Sequence, residues 1–252
     1  YMKFYRTKSV TTEGFVENFW FMGEKLNPRV QQDAAEFIQF FFDLFQLDPT
    51  YKNIVDDLFQ VITLNSKHDT NKTYEQFEHS YVFELDVKHL NSMVDSFEHF
   101  LQPNYITDNH QSNDVVNYSK LSRIPPFLII QLKRFEYSPE LRQRQKISRH
   151  FNISTTINIA KYTNNPEEEA IYVLTGVIIH RGVATGGHYI SYAKSKKNGW
   201  LCFDDDIVTS ISEDEMMRNA TGIENSNIAG YILFYKRQNI DSDLPWMNYK
   251  KD

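Results

Sequence analysis

Chemistry is best looked for in the run Gly186-Gly187-His188-Tyr189, followed closely by Trp200-Leu201-Cys202-Phe203-Asp204-Asp205-Asp206. A histidine near the start of one strand meets a carboxylate near the end of the next if the strands pair antiparallel across the Lys197-Asn198-Gly199 turn. A carboxylate bonded to an imidazole sets its tautomer and its direction, and a general base needs both. Two glycines ahead of the histidine open backbone conformations closed to other residues and let a second chain come close. The same residues would also make an ordinary hairpin, in which Gly-Gly turns the chain and the acidic run caps it. The pattern alone leaves both readings open.

Other reactive side chains offer less. Cys202 lies in a strand whose alternation sets it beside Trp200 and Phe203, which reads as a buried, inert thiol rather than a nucleophile. His68, His79, His89, His99 and His110 fall roughly ten residues apart, with no cysteine neighbour and without the close ligand spacing of a structural zinc site. No metal and no cofactor are expected.

The elements that must position these residues read as α+β. Residues 12–47 read as helical, with Asn27-Pro28 as a start signal and Ala34, Phe37, Ile38, Phe41, Leu44 and Phe45 at three- and four-residue spacing. Asp48-Pro49 is expected to end that helix. Short strands follow at 59–64, 74–85 and 127–135, the last led in by Pro125-Pro126, with a short amphipathic helix over 93–101. Residues 104–117 are polar and read as a loop or mobile tip. Strands at 172–180, 188–194, 200–203 and 231–236 close the reading, with Gly186-Gly187 separating the first two. Residues after 238 lack periodicity and read as a disordered tail.

Composition narrows the function classes. The 252 residues are 41% hydrophobic and 15% aromatic, enough for a sizeable core in one domain or two lobes. A net charge of -6 gives no reason to expect nucleic acid as partner, and no apolar run reaches the length of a membrane span. The single cysteine excludes an intramolecular disulfide and fits a reducing compartment, the cytoplasm or nucleus. With Tyr1 in first place and no secretory pattern behind it, the sequence reads as a piece of a longer chain.

Five motifs in order then resemble the ubiquitin-specific proteases. They are Gln31-Gln32-Asp33-Ala34-Ala35-Glu36-Phe37, Ile124-Pro125-Pro126-Phe127-Leu128-Ile129-Ile130-Gln131-Leu132-Lys133-Arg134-Phe135, the Gly-Gly-His-Tyr and Trp-to-Asp206 runs above, and Gly230-Tyr231-Ile232-Leu233-Phe234-Tyr235. Residues 13–37 read most like the large multidomain members. The resemblance implies a papain-like cysteine peptidase with an incomplete helical thumb at 1–57 and an antiparallel-sheet palm and fingers at 58–237. It implies a thiol-dependent hydrolase that cleaves after the C-terminal glycine of ubiquitin, with ubiquitin and ubiquitinated proteins as partners. His188 is then the general base and Asp204 its orienting acid, with Asp205 able to share that role. Asp33 supplies a carboxylate for the arginines of ubiquitin's tail, Phe135 and Tyr189 wall its channel, and Gln131, Gly186 and Gly187 belong to the same cleft.

Two departures accompany the resemblance. The family's nucleophile sits in an Asn-x-x-Cys-type box upstream of the Gln-Gln-Asp motif, and this sequence begins after that box. The paired CxxC zinc ligands that many members carry in the fingers are absent from 60–120. The chain is thus expected to be inactive alone; the alternative is a degenerate module that binds ubiquitin without cleaving it.

Overall fold

Apolar residues run almost unbroken along 127–132 and 228–235 while successive side chains point to opposite faces, so each face of one large sheet buries its own set and needs its own covering layer. The computed structural model describes residues 11–25, 27, 31–69, 72–107, 114–223 and 226–239. It begins with α1 (Glu13–Asn18), the short hairpin β1 (Trp20–Phe21) and β2 (Glu24–Lys25), then α2 (Ala34–Phe45) and α3 (Pro49–Phe59). Next come β3 (Val61–Asp69), β4 (Lys72–Ser80), β5 (Phe83–Asp86), α4 (Met93–Leu101), β6 (Asn104–Thr107) and β7 (Asp114–Arg123). β8 (Phe127–Lys133), β9 (Phe135–Ser138), β10 (Gln143–Lys146) and β11 (Thr156–Asn158) follow. The last third holds β12 (Ile171–Val183), β13 (Gly186–Ser195), β14 (Gly199–Asp204), β15 (Ile207–Ile211), α5 (Glu213–Thr221) and β16 (Ile228–Arg237).

The large sheet runs β15-β14-β13-β12-β16-β8-β5, with β11 paired to the start of β12. Its pairs are antiparallel except β5 with β8, which is parallel. On one face Leu128, Ile130 and Leu132 join Leu233, Tyr235 and Ile190 against Met93 and Phe97 of α4 and Met216 and Ala220 of α5. On the other, Ile129, Ile178, Tyr231 and Ile232 meet Ala35 and Phe42 of α2 and Val55 of α3. A second sheet, β4-β3-β7-β6, is not hydrogen-bonded into the first, but Val61 of β3 and Leu121 of β7 reach into the same core. The fold is the α+β arrangement expected, and no helix among the described residues is long and apolar enough to cross a membrane.

Several elements differ from the sequence reading. The helix read over 12–47 is two helices with a small hairpin between them, and α2 begins at Ala34, not after Asn27-Pro28; Pro28 lies outside the described residues. The true start signal is Asp33, whose Oδ1 accepts from Ala35 N at 2.9 Å and Glu36 N at 3.4 Å. Asp48-Pro49 separates two helices rather than ending the helical region: Asp48 caps α3, and Pro49 takes its first turn, where a missing N–H costs nothing. α3 extends to Phe59, so the strand expected from there begins at Val61. The polar stretch 104–117 is not simply a loop, since β6 and β7 pair from Asn104↔Asn117 to Thr107↔Asp114 and β7 pairs with β3. The chain between those strands, like the tail from 240 onward, lies outside the described residues.

Candidate active site

His188 is presented by the β12–β13 hairpin, whose turn falls at Ala184-Thr185 and not at Gly186-Gly187. The two glycines instead begin β13, and Gly182 pairs with Gly187, Arg181 with His188. Register between β13 and β14 sets Ser191 opposite Phe203, which makes His188 and Asp204 diagonal neighbours on one face. His188 Nε2 lies 2.6 Å from Asp204 Oδ1. The second carboxylate oxygen accepts from Arg181 Nη1 at 3.3 Å. Asp204 is therefore held at both oxygens, its bond to Nε2 turning His188 so that Nδ1 is left for a reacting proton. Asp205 stands 3.9 Å from Nε2, with its side chain 78% exposed and its backbone in the left-handed region at φ 52°. It is the weaker partner.

The ligand-capable atoms of His188, Asp204 and Asp205 lie within 4.8 Å of one another. Two ligands of one tetrahedral ion, each about 2.0–2.2 Å from it, would sit about 3.3 Å apart. The 2.6 Å separation is a hydrogen bond, too short for a shared ion.

Gly187 is fixed from two sides. Its N–H donates to Gln31 Oε1 at 2.8 Å, tying the hairpin to the entry of α2. A Cβ built on it would meet Arg181 O at 2.2 Å and His180 Nε2 at 2.6 Å, so the glycine is required for space rather than for its backbone angles. The glycine with a left-handed requirement is Gly182, at φ 113°. Gly186 has nothing within 4 Å of a built Cβ.

Beneath this strand lies a cluster of rings. Phe135 packs edge-on against His180 at 5.1 Å and Tyr231 at 5.1 Å, and Tyr189 meets His180 at 5.0 Å. Burial, with a smaller push from Lys146, takes His180 down to about 4, so its ring is neutral. Burial and then the Asp33 charge lift Tyr189 to about 12. Gln131 Nε2 donates to the Tyr231 hydroxyl at 3.0 Å, which donates to Asp33 Oδ1 at 2.8 Å. Asp33 thus caps α2 and ends a polar relay across the sheet face. Burial, then Asp33, raises the Tyr231 phenol, which remains a donor.

Two recesses flank these rings. A cleft of about 550 Å³ between α2 and the sheet is lined by Asp33, Glu36, Asp43, Glu84, Gln131 and Phe135, among others. A more apolar recess of about 410 Å³ lies toward β13 and β14, bounded by Phe37, Ile178, Tyr189, Phe203 and Asp205. Of the residues singled out from sequence, Asp33, Gln131 and Phe135 line the first recess, Asp33 also the second, while Tyr189 and Asp205 line the second only. Gly186, Gly187, His188 and Asp204 line neither recess.

Cys202 faces Tyr192 in the strand register, four residues along β13 from His188, which is about 13 Å at strand rise. Burial, then the charge of Asp204, raises its thiol above the ordinary range, so the thiolate is disfavoured. Sequence reasoning missed Arg181 and Gln31 as parts of the site. Arg181 becomes legible once the turn is moved to Ala184-Thr185; Gln31 opens the Gln31-Gln32-Asp33 motif, but its partner Gly187 lies 156 residues away.

Comparison with known proteins gives a consistent relationship. The family model described as ubiquitin carboxyl-terminal hydrolase matches residues 2–235. Ubiquitin carboxyl-terminal hydrolase 26 of Oryza sativa subsp. japonica is 29% identical over 208 residues, covering 74% of this chain and 19% of the relative. Probable ubiquitin carboxyl-terminal hydrolase 16 of Schizosaccharomyces pombe is 30% identical over 247 residues, covering 88% of this chain and 50% of the relative. Among solved structures, the SAGA Ubp8/Sgf11/Sus1/Sgf73 DUB module bound to ubiquitin aldehyde aligns with TM-score 0.70 at 25% identity, over 82% of this chain and 50% of that chain. The same module bound to monoubiquitin gives TM-score 0.71 at 24% identity over 82% of this chain and 49% of that chain, a likeness of fold. The chain spans half or less of each of these relatives.

Proposed function

Because the chain belongs to the ubiquitin carboxyl-terminal hydrolase family, we propose that it is part of the catalytic domain of a cysteine-type deubiquitinase whose nucleophile lies elsewhere in the parent protein. The carrying observation is His188 Nε2 at 2.6 Å from Asp204, with Nδ1 left for a proton. In the complete enzyme His188 takes the thiol proton, the thiolate attacks the carbonyl of ubiquitin's terminal glycine, and the proton passes to the departing amine. Water, deprotonated by His188, then releases ubiquitin from the thioester. The recess beside Phe37, Tyr189, Phe203 and Asp205 is where the cysteine-bearing segment would approach the base. Residues 1–57 then belong to the thumb and 58–237 to the palm and fingers. Ubiquitin and its conjugates are the partners, inside the cytoplasm or nucleus.

A fluorogenic ubiquitin conjugate tests this directly. The parent protein should turn it over and the 252-residue chain should not. Cys202→Ser in the parent should leave the rate within about twofold, as expected of a half-buried thiol whose thiolate is disfavoured. Turnover by the isolated chain that vanishes on Cys202→Ser would sink the assignment.

The cleft, where Asp33, Glu36, Asp43 and Glu84 outnumber Lys133 and Arg144, suits the basic, extended tail of ubiquitin, Leu-Arg-Leu-Arg-Gly-Gly. Because Asp33 also caps α2, Asp33→Ala would mix two losses, and Asp33→Asn separates them. Asparagine caps as well as aspartate but brings no charge to an arginine. A charge-assisted bond is worth roughly 1.5–3 kcal/mol, so ubiquitin affinity should fall at least about tenfold while the melting temperature holds within about 2 °C. Calorimetry showing wild-type affinity for Asp33→Asn would remove Asp33 from the tail site.

A further inference from the structure

We infer that Lys146 is a positioning residue for the His188 base, its ammonium binding three main-chain carbonyls beside the turn end of the β12–β13 hairpin and holding the strand from which His188 projects. Lys146 Nζ donates to His180 O at 2.8 Å, Gly182 O at 3.1 Å and Asn227 O at 2.7 Å. Two of these oxygens belong to β12, and the third lies just before β16. Gly182 N also donates to Asn227 O at 2.9 Å, so the same carbonyl joins the hairpin to its neighbour twice.

The location makes this hold consequential. Gly182 pairs with Gly187, and Arg181 with His188, so the bonded carbonyls sit directly behind the base and the arginine that shares its carboxylate. Gly182 and Gly187 carry no side chains that could anchor this end of the hairpin. The β12–β16 register also slips between Ile178 and Ile179, just before the bonded segment. Beyond the strand pairing and the Gly182–Asn227 bond, the turn end of the hairpin is fastened by side chains from outside it: Gln31 at Gly187, and Lys146 at Gly182.

The chemistry suits lysine. Three diverging N–H bonds of an ammonium match three carbonyls, whereas the planar guanidinium fork of arginine does not. Lys146 is itself seated firmly, paired with Phe135 across β9–β10 and followed by Ile147, whose N–H donates to Arg134 O at 2.7 Å. Burial, then the nearby Arg134 charge, draws Lys146 down to about 8, which leaves it cationic at neutral pH.

The inference rests on reading His188 as the base, and the experiment keeps the two apart. In the parent enzyme, Lys146→Met should lower kcat between about ten- and a hundredfold through misplacement of the base, with KM for the fluorogenic ubiquitin conjugate within about twofold. In the 252-residue chain, amide exchange at Gly182 and Gly187 should accelerate at least about tenfold while the β8–β16 pair is unchanged. A kcat within twofold of wild type in folded Lys146→Met overturns the inference, as does exchange that rises evenly through the sheet. If the methionine variant does not fold, Lys146→Gln, which loses the charge and one of the three donors, should show the same losses in smaller measure, and wild-type kcat and exchange in it overturn the inference. If His188→Ala proves active, the functional reading fails instead; exchange at Gly182 and Gly187 still reports whether Lys146 holds the hairpin.

Discussion

His188→Ala in the parent enzyme should lower kcat/KM by about 10³–10⁴-fold while ubiquitin affinity stays within about twofold. Loss of a general base in an acyl-transfer triad has that scale, about 4–5.5 kcal/mol of transition-state stabilisation. Affinity should survive because the cleft that would hold the tail is lined from α2, β5, β8 and β9 rather than by His188. The orienting carboxylates are ranked by the same geometry. Asp204→Ala should cost about 10²–10³-fold, since Asp204 makes both the 2.6 Å bond to the ring and the contact to Arg181. Asp205→Asn should cost no more than about threefold, because Asp205 stands 3.9 Å away and largely in water, and asparagine tolerates its left-handed backbone. Rates for the two single variants and the double decide the matter. Equal losses in the singles, or a mild Asp204→Ala, would mean that the carboxylates share the work.

Gly187→Ala is expected to damage both fold and chemistry, whereas Gly186→Ala, one residue away, should be nearly silent in stability. The methyl at 187 would lie 2.2 Å from Arg181 O and 2.6 Å from His180 Nε2, and neither can retreat. Arg181 O is main chain in the β12–β13 pair, and His180 is only 3% exposed, wedged between Phe135 and Tyr189. Overpacking of this kind costs about 1–3 kcal/mol, which lowers the melting temperature by about 3–10 °C in a domain of this size. The strand must move away from β12, which stretches the Gly187–Gln31 bond and carries His188 off Asp204. Turnover should therefore fall at least about a hundredfold, beyond what the stability loss explains. Thermal melts and steady-state rates on both variants are the check. A Gly187→Ala protein that melts and reacts like wild type would show that the hairpin has slack which the geometry does not reveal.

The sequence by itself determined whatever depends on residues close along the chain. The 93–101 helix was legible because its apolar spacing is local, and the buried strand after Pro125-Pro126 because its apolar run is continuous. The His188–Asp204 pairing was legible because a short turn leaves few registers open between two adjacent strands. The tertiary structure decided what depends on partners far along the chain. The 104–117 stretch reads as loop because its side chains are polar, yet its flanks become strands because β3 offers β7 a ladder about fifty residues away. Gly186-Gly187 carries the composition of a turn, but its second glycine is needed where β12 presses a carbonyl and the His180 ring against it. Asp33 meets Tyr231 across 198 residues, and Lys146 finds Asn227 across 81. Such contacts form only when the folded sheet brings carbonyls and hydroxyls together in a dry interior, where an unpaired polar group is costly. Local pattern therefore paired His188 with Asp204, and long-range packing chose the groups that surround them.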